Sequence, residues 1–418
     1  MYKKIKLPNQ VRLITIPQKE TQTANLLVLI KVGSRAENKI NNGSSHFIEH
    51  LMFKGTKKRP STLALSKELD GVGAEFNAFT GKDYTGYYIK SDAKHLSLAI
   101  DVLSDMLLNS KFDEKEIERE KGVIVEEINM YEDNPIMYVD DLLEQTMYAS
   151  HPLGFSIAGS RKSVKESLRS SLLNFKNNFY IGSNTVIALA GNFSENHLKE
   201  LKAKFKFPAK SQKFSLNKIK IKQEQPRVAL KFKETEQTQI ALGFPAYSYN
   251  HKKIYALQLL SVILGGNMSS RLFLQVRERN GLAYFIRSGL SVYEDTGALV
   301  IQAGLDKTRV EKALKLIISE LKKIKKFVTP EELKRAKEYL YGKTALNLED
   351  TSHLSQWYGQ QELMLKKILT PAEKNKKIAA VKISDLKEAA KDIFKLNRAS
   401  LAVIGPFKDE KKFQNLLK

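Results

Sequence analysis

The chain has 418 residues, of which 42% are hydrophobic and 9% aromatic, and its formal net charge is +23. This composition is typical of a folded protein and excludes a disordered one, and the length predicts two to three domains. Because the chain contains no Cys, a disulfide scaffold and a thiolate metal site are excluded, and any metal ligands must come from His and carboxylate side chains.

The basic charge balance allows an acidic partner, but the lysines are scattered along nearly every segment and form no RNP, zinc-finger or basic-leucine-zipper pattern. A solvated lysine-rich surface is the preferred interpretation, so no nucleic acid is expected. The basic N-terminus reaches Pro8 with no apolar stretch behind it, and residues 26–30 are too few to span a membrane. We therefore expect a cytoplasmic protein without a membrane span.

Apolar periodicity and turn residues predict mixed α and β structure along the first hundred residues. In order, the sequence predicts strands at residues 11–16 and 26–32, a short helix after Gly43, a helix over residues 62–69 with Ser61 as N-cap, a hairpin of residues 75–80 and 85–90, and a helix over residues 94–108. The short helix after Gly43 carries the main chemical motif.

This helix follows the pattern H-x-x-E-H, the inverse of the commoner H-E-x-x-H zinc motif. His46 and His50 are four residues apart, so both imidazoles project from one face, while apolar side chains cover the other. Two imidazoles make half of a tetrahedral zinc site, and the adjacent Glu49 is placed to act as a general base. The alternative is an amphipathic helix whose two His are half-buried and bonded to neighbours.

A Glu-rich helix is predicted from Ile117 to Tyr131, with a capping-box-like start before it and Asn134-Pro135 after it. Glu120 and Glu127 fall in phase with its apolar stripe, and Glu126 does not. Because a buried carboxylate is costly unless a metal ion or an imidazolium compensates it, Glu127 is the predicted third zinc ligand and Glu120 the predicted partner of a ligating His. A helix that merely exposes its carboxylates to solvent is the alternative.

The second half of the chain repeats the pattern of the first. Residues 1–205 form the first predicted half, residues 206–225 a lysine-rich linker, and residues 226–418 the second half. The closing segments match best, with Gly191 and Gly405 in corresponding positions 214 residues apart. We infer a duplicated α+β unit, a mainly antiparallel sheet flanked by helices, whose second copy has lost the H-x-x-E-H motif.

Together, the H-x-x-E-H helix, a Glu 77 residues after His50 and a metal-free second half resemble peptidase family M16, which includes pitrilysin, insulysin and the mitochondrial processing peptidase. The resemblance covers essentially the whole chain and is strongest to the short bacterial members. It implies a zinc-dependent endopeptidase that binds one Zn²⁺ through His46, His50 and Glu127. It also implies two homologous halves enclosing a chamber for unfolded peptides.

The resemblance implies further site residues that the sequence alone does not assign. Asn77-Ala78-Phe79-Thr80 matches the family's substrate-binding edge strand, whose backbone would pair with an extended peptide. The spacing of Arg277 and Tyr284 matches the family's Arg-x6-Tyr pair, which implies that both hold peptide carbonyl groups at the zinc site. Closure of the two halves, or of a homodimer, would exclude folded substrates.

Three competing interpretations remain open. A catalytically inert peptide-binding or scaffold protein can share the fold, although such proteins usually lose a ligand or the base. A nucleic-acid binder is favoured only by the net charge. A non-haem iron site also uses two His and a carboxylate, but it has no use for Glu49 beside the metal.

Overall fold

The structure is a computed structural model that describes residues 2–210, 218–219 and 221–418. It contains one sheet of six strands and one of five. In chain order, the strands are β1 (Lys3–Lys6), β2 (Arg12–Pro17), β3 (Thr23–Ile30), β4 (Glu75–Thr80), β5 (Thr85–Asp92), β6 (Thr185–Gly191), β7 (Arg227–Phe232), β8 (Gln237–Ala246), β9 (Ala283–Val292), β10 (Gly297–Asp306) and β11 (Ser400–Gly405).

The helices lie between these strands and in two longer helical runs. In chain order they are α1 (Ser44–Met52), α2 (Thr62–Asp70), α3 (Leu96–Asn109), α4 (Glu114–Asp133), α5 (Pro135–Tyr148), α6 (Arg161–Lys165), α7 (Arg169–Phe179), α8 (Glu195–Lys204), α9 (Ile254–Gly265), α10 (Val310–Ile324), α11 (Pro330–Asn347), α12 (Thr351–Leu365), α13 (Pro371–Ala379), α14 (Ile383–Ile393) and α15 (Glu410–Leu417).

The first compact unit is built on the sheet β1-β2-β6-β3-β5-β4, in which only β2 and β6 pair in parallel. Its core joins the sheet to α1 and α3 through fully buried side chains such as Val28, Phe47 and Leu103. Each such side chain contributes about 1.5–3 kcal/mol by leaving water. The buried face of α1 is therefore held to the sheet, and its histidine-bearing face is left for the site.

Helix α12 packs on β3 and β6 of the same unit, although it belongs to the second half of the sequence. Gly359 allows a close approach, because a Cβ there would lie 3.1 Å from the Cβ of Ala188. The Asn25 amide also donates to the Ser355 hydroxyl, at 2.5 Å. This contact was not expected from the sequence, since the two segments are more than 300 residues apart.

The second unit repeats the strand order as β7-β11-β8-β10-β9, again with one parallel pair, β7 and β11. Its own exchanged helix is α5, which packs on β8 and β11 with Leu143 and Met147 against Gly243. The corresponding strand orders are those expected of a duplicated α+β unit. In each sheet, the predicted mainly antiparallel arrangement is observed.

Each compact unit contains segments from both of the halves that the sequence predicts. The first unit contains the chain up to Ile128, a segment starting at Phe155, and Ala345–Leu369; the second contains Asn129–Gly154 and Thr370–Lys418 besides the strands of its own sheet. The predicted linker, residues 206–225, lies partly outside the described residues. Among the helices of the described part of the chain, none is long and apolar enough to cross a membrane.

Candidate functional site

Helix α1 presents three polar side chains from one short segment. The helix begins at Ser44, and its apolar side chains Phe47 and Ile48 are completely buried. His46 and His50 face each other with their ring centroids 4.6 Å apart. The predicted division of the helix into an apolar face and a histidine face is therefore what the structure has.

Helix α4 brings a carboxylate to this pair. One oxygen of Glu127 lies 3.7 Å from Nε2 of His46 and 3.5 Å from Nε2 of His50. In a tetrahedral zinc site with bonds of about 2.0–2.1 Å, ligand atoms are about 3.4 Å apart, so the three groups fit the ion in both spacing and chemistry. Within the part of the chain that the structure describes, this is the one group of His and acidic side chains that could hold a metal.

Glu120 contacts two basic side chains, His50 and Lys54, each through a different oxygen of its carboxylate. One oxygen is 3.0 Å from Nδ1 of His50 and the other is 2.7 Å from Nζ of Lys54. Only 1% of Glu120 is exposed, and its role as the partner of a ligating His stays a prediction. Lys54 was not singled out from the sequence as a site residue, and it lies two residues beyond the end of α1, where no helical spacing connects it to His50.

The two histidines of the site differ in their affinity for a proton. Burial and the charge of His50 lower the pKa of His46 to about 4. Burial alone would also lower the pKa of His50, but its bonds to Glu120 and Glu127 raise it to about 9. His46 is thus readily available as a neutral ligand, whereas His50 must give up a proton before it can bind a metal ion.

Glu49 lies beside this group and contacts the end of strand β4. The Thr80 hydroxyl donates a hydrogen bond to the Glu49 carboxylate. Burial raises the pKa of Glu49, with a further contribution from the nearby negative charge of Glu127. A carboxyl group whose proton affinity is raised in this way is better suited to accept a proton during a reaction.

Strand β4 lies at the edge of its sheet and pairs only with β5 among the described strands. It contains the four predicted substrate-binding residues, Asn77 to Thr80, at the expected positions. The Asn77 side chain accepts a hydrogen bond from the Ala78 N–H, at 2.8 Å. Their role in binding a substrate stays a prediction.

Arg277 and Tyr284 belong to the second compact unit. Arg277 lies in a π-helical segment, Phe273–Glu278, with its guanidinium 4.9 Å from the centre of the Phe273 ring. Tyr284 is the second residue of β9 and is 60% exposed. Both side chains are accessible in their own unit, and their assignment to the zinc site stays a prediction.

Two imidazoles, a carboxylate and an adjacent Glu on a two-unit α+β scaffold define a candidate zinc hydrolase. Residues 12–161 match the family described as Insulinase (Peptidase family M16), and residues 167–340 match the Peptidase M16 inactive domain. The chain is 37% identical over 408 residues to the uncharacterized zinc protease YmxG of Bacillus subtilis, covering 97% of this chain and 98% of the relative. The chain therefore belongs to peptidase family M16.

Other comparisons agree with this membership. An uncharacterized zinc protease of Streptomyces coelicolor, SCO5738, is 36% identical, with 97% of this chain and 89% of that relative covered. The crystal structure of a protease from Helicobacter pylori has the same fold, with a TM-score of 0.90 at 24% identity and with 97% and 99% of the two chains covered. The predicted family and fold are confirmed, and zinc is the cofactor that the family and the donor set indicate.

Proposed function

We propose that this protein is a zinc-dependent endopeptidase that hydrolyses unfolded peptides and oligopeptides. His46, His50 and Glu127 hold the ion, and Glu49 is the general base. The observation that carries the proposal is the contact between Glu49 and Thr80, because it brings the proposed base to the end of an open strand edge. An extended peptide on that edge would have its backbone beside the base and the ligands.

A zinc ion held by His46, His50 and Glu127 would act as a Lewis acid and would lower the pKa of a water molecule at the site to near neutral. Glu49 accepts the proton of that water molecule and can then pass it to the leaving amine. Glu120 keeps His50 in orientation through Nδ1, so that Nε2 is directed toward Glu127. Lys54 neutralises the other oxygen of Glu120.

The second half would supply donors to the peptide. In this proposal, the Tyr284 hydroxyl and the Arg277 guanidinium donate hydrogen bonds to carbonyl oxygens, including the one that becomes negatively charged during attack. We expect Tyr284→Phe to lower kcat by about 10²–10³ with zinc content unchanged, the usual cost of one such donor. The enclosed chamber and the homodimer rest on the family resemblance.

The proposal is tested by digesting a mixture of random peptides with the purified protein, with and without a chelator, and reading the products by mass spectrometry. We expect internal cleavages that the chelator abolishes and that added zinc restores. Glu49→Gln is the matched control, because the amide keeps the shape but cannot accept the proton. It should bind zinc and lose about 10²–10⁴ in rate.

Two outcomes would contradict the proposal. If zinc-loaded wild-type protein binds peptides but never cleaves them, an inert peptide-binding protein is the better interpretation. If zinc-loaded Glu49→Gln cleaves at the wild-type rate, Glu49 is not the base.

A further inference from the structure

The N-terminus of α1 lacks the side-chain cap that usually satisfies the first N–H groups of a helix. Its N-cap residue is Gly43, which has a positive φ of 95° and no side chain to accept a bond. A Cβ at this position would lie 2.8 Å from the carbonyl oxygen of Ala158, so the close contact excludes the usual capping residues. The helix that carries the site must be capped from elsewhere.

The cap comes from Glu37, a residue outside the helix that is only 3% exposed. One carboxylate oxygen accepts hydrogen bonds from the N–H of Gly43 at 2.7 Å and from the Asn42 amide at 3.1 Å. The other oxygen accepts from the N–H of Ser45, at 2.7 Å. Burial raises the pKa of Glu37 to about 7, although these hydrogen bonds favour the ionised form, and the ionised carboxylate also interacts favourably with the helix dipole.

The segment that carries Glu37 is itself bonded to the turn that follows strand β4. The N–H groups of Ser34 and Arg35 donate to the carbonyl oxygens of Gly81 and Lys82, at 3.1 and 2.9 Å. A Cβ at Gly33 would lie 2.2 Å from the Gly81 oxygen, so the two segments are in direct contact. Glu37 thus connects the β4–β5 turn to the start of α1.

A second connection joins the same two elements farther along the helix. Thr80, the residue before Gly81, donates to Glu49 on α1. The helix is therefore tied to the end of β4 at two points, through Glu37 at its N-terminus and through Glu49 near its centre. Two such ties fix both the position and the rotation of a helix of nine residues.

We propose that Glu37 is a positioning residue that holds α1, and with it the two histidines and Glu49, in place against the end of strand β4. The proposal rests on the zinc site proposed above. Glu37→Gln is the direct test, because one acceptor oxygen becomes an NH₂ group that would face an N–H donor. We expect zinc affinity to fall about 10- to 100-fold, the usual effect of losing a group that orients metal ligands.

Glu362→Gln is the matched control, since Glu362 is also a buried carboxylate, 1% exposed, and its ion-pair partners are Lys4 and Arg12. Both variants should lower the thermal midpoint of the chelated protein. Only Glu37→Gln should weaken zinc binding in a chelator competition, alter the absorption spectrum of the cobalt-substituted protein and speed hydrogen exchange at Gly43 and Ser45. These readouts need no peptidase activity, so they remain decisive if the proposed function fails.

The proposal is overturned if Glu37→Gln folds and matches Glu362→Gln in zinc affinity, cobalt spectrum and amide exchange. If Glu37→Gln does not fold, Asn42→Ala replaces it, because this change removes only the amide that bonds Glu37 and the Ser156 carbonyl oxygen. A smaller loss of zinc affinity in the same direction, about threefold or more, supports the proposal. Unchanged affinity in Asn42→Ala overturns it.

Discussion

Two adjacent residues of α4 show how strongly the helix rotation separates their roles. Successive side chains are about 100° apart around a helix, so Glu126 and Glu127 cannot both face the histidines. In the structure, an oxygen of Glu127 is within 3.7 Å of both imidazoles, whereas Glu126 is exposed. The apolar phase of α4, set by Ile124 and Ile128, decides which carboxylate is turned inward.

We therefore expect Glu127→Gln to lower zinc affinity by at least about tenfold and Glu126→Gln to leave it within about twofold, since only the first change weakens a ligand. Metal content after dialysis and chelator competition measure this difference. The opposite order of the two variants would show that the helix phase does not identify the ligand.

Lys176 on α7 shows the effect of a buried charge outside the site. It is 9% exposed, its Nζ lies 5.4 Å from the centre of the Phe112 ring, and burial lowers its pKa to about 8. An unfolded chain holds a Lys proton up to about pH 10.4, so between these two values the unfolded state binds more protons. The free energy of unfolding therefore rises with pH across that window, and below about pH 8 the folded state carries the full cost of the buried charge.

We expect Lys176→Met to raise the free energy of unfolding at pH 7 by an amount on the order of 1–3 kcal/mol, and with it the thermal midpoint. This gain over wild type should shrink toward pH 10. Thermal denaturation from pH 7 to pH 10 measures it. Lys199→Met, at an exposed position of α8, is the control and should show no such trend. A gain that does not change with pH would mean that packing, and not the charge, is responsible.

At the scale of the element, strand β4 combines an open edge with a contact to the proposed base. Because the Ala78 N–H donates to the Asn77 side chain, that donor can be transferred to a peptide that adds to the edge. Proline is tolerated in edge strands but has no N–H. The edge can therefore be blocked without removing the strand.

We expect Ala78→Pro to raise KM for peptides by about tenfold, through the loss of one backbone donor and the bulk of the ring, with kcat changed less. Ala78→Gly keeps the N–H and serves as the control. Steady-state kinetics on one fluorogenic peptide and zinc content of each variant provide the measurement. An unchanged KM in a folded, zinc-loaded Ala78→Pro protein would exclude strand addition at this position.

At the scale of the whole molecule, each sheet is covered by a helix from the other half of the sequence. Helix α12 packs on β3 and β6, and α5 packs on β8 and β11. A fragment of residues 1–205 therefore keeps α5 without its sheet and loses α12. In the complete chain, α12 lies against Leu27 and Leu29 of β3 and Ala188 of β6, and all three side chains are buried. Without α12, these side chains would be exposed to water.

We expect residues 1–205 alone to aggregate or to remain partly folded, because that exposed apolar surface costs about 25 cal/mol per Å². Coexpression with the remaining residues should restore solubility and zinc binding. Near-UV circular dichroism and metal content distinguish the two states. A soluble, cooperatively folding fragment 1–205 with full zinc affinity would show that α12 is not required.

Much of the site follows from local sequence periodicity. The spacing of His46 and His50, the inward phase of Glu127 and the edge hairpin of β4 and β5 all depend on residues within a few positions of one another, and a helix or strand turns such spacing into a face. The bounds of β4 and the N-cap at Ser61 agree with their predictions for the same reason.

Only the tertiary structure decides the remaining features. Glu37 reaches the start of α1 from a segment outside the helix. Helices α5 and α12 each pack in the compact unit whose sheet comes from the other half of the sequence. No sequence period or residue spacing predicts the Glu37 contact, because a loop can bring a side chain to many positions. None predicts the packing of α5 and α12 either, because a helix with an apolar face can pack on any matching sheet. The packing of the whole chain decides on which sheet each helix packs and which helix end Glu37 caps. Each of these contacts lowers the free energy only when the other elements are already in place.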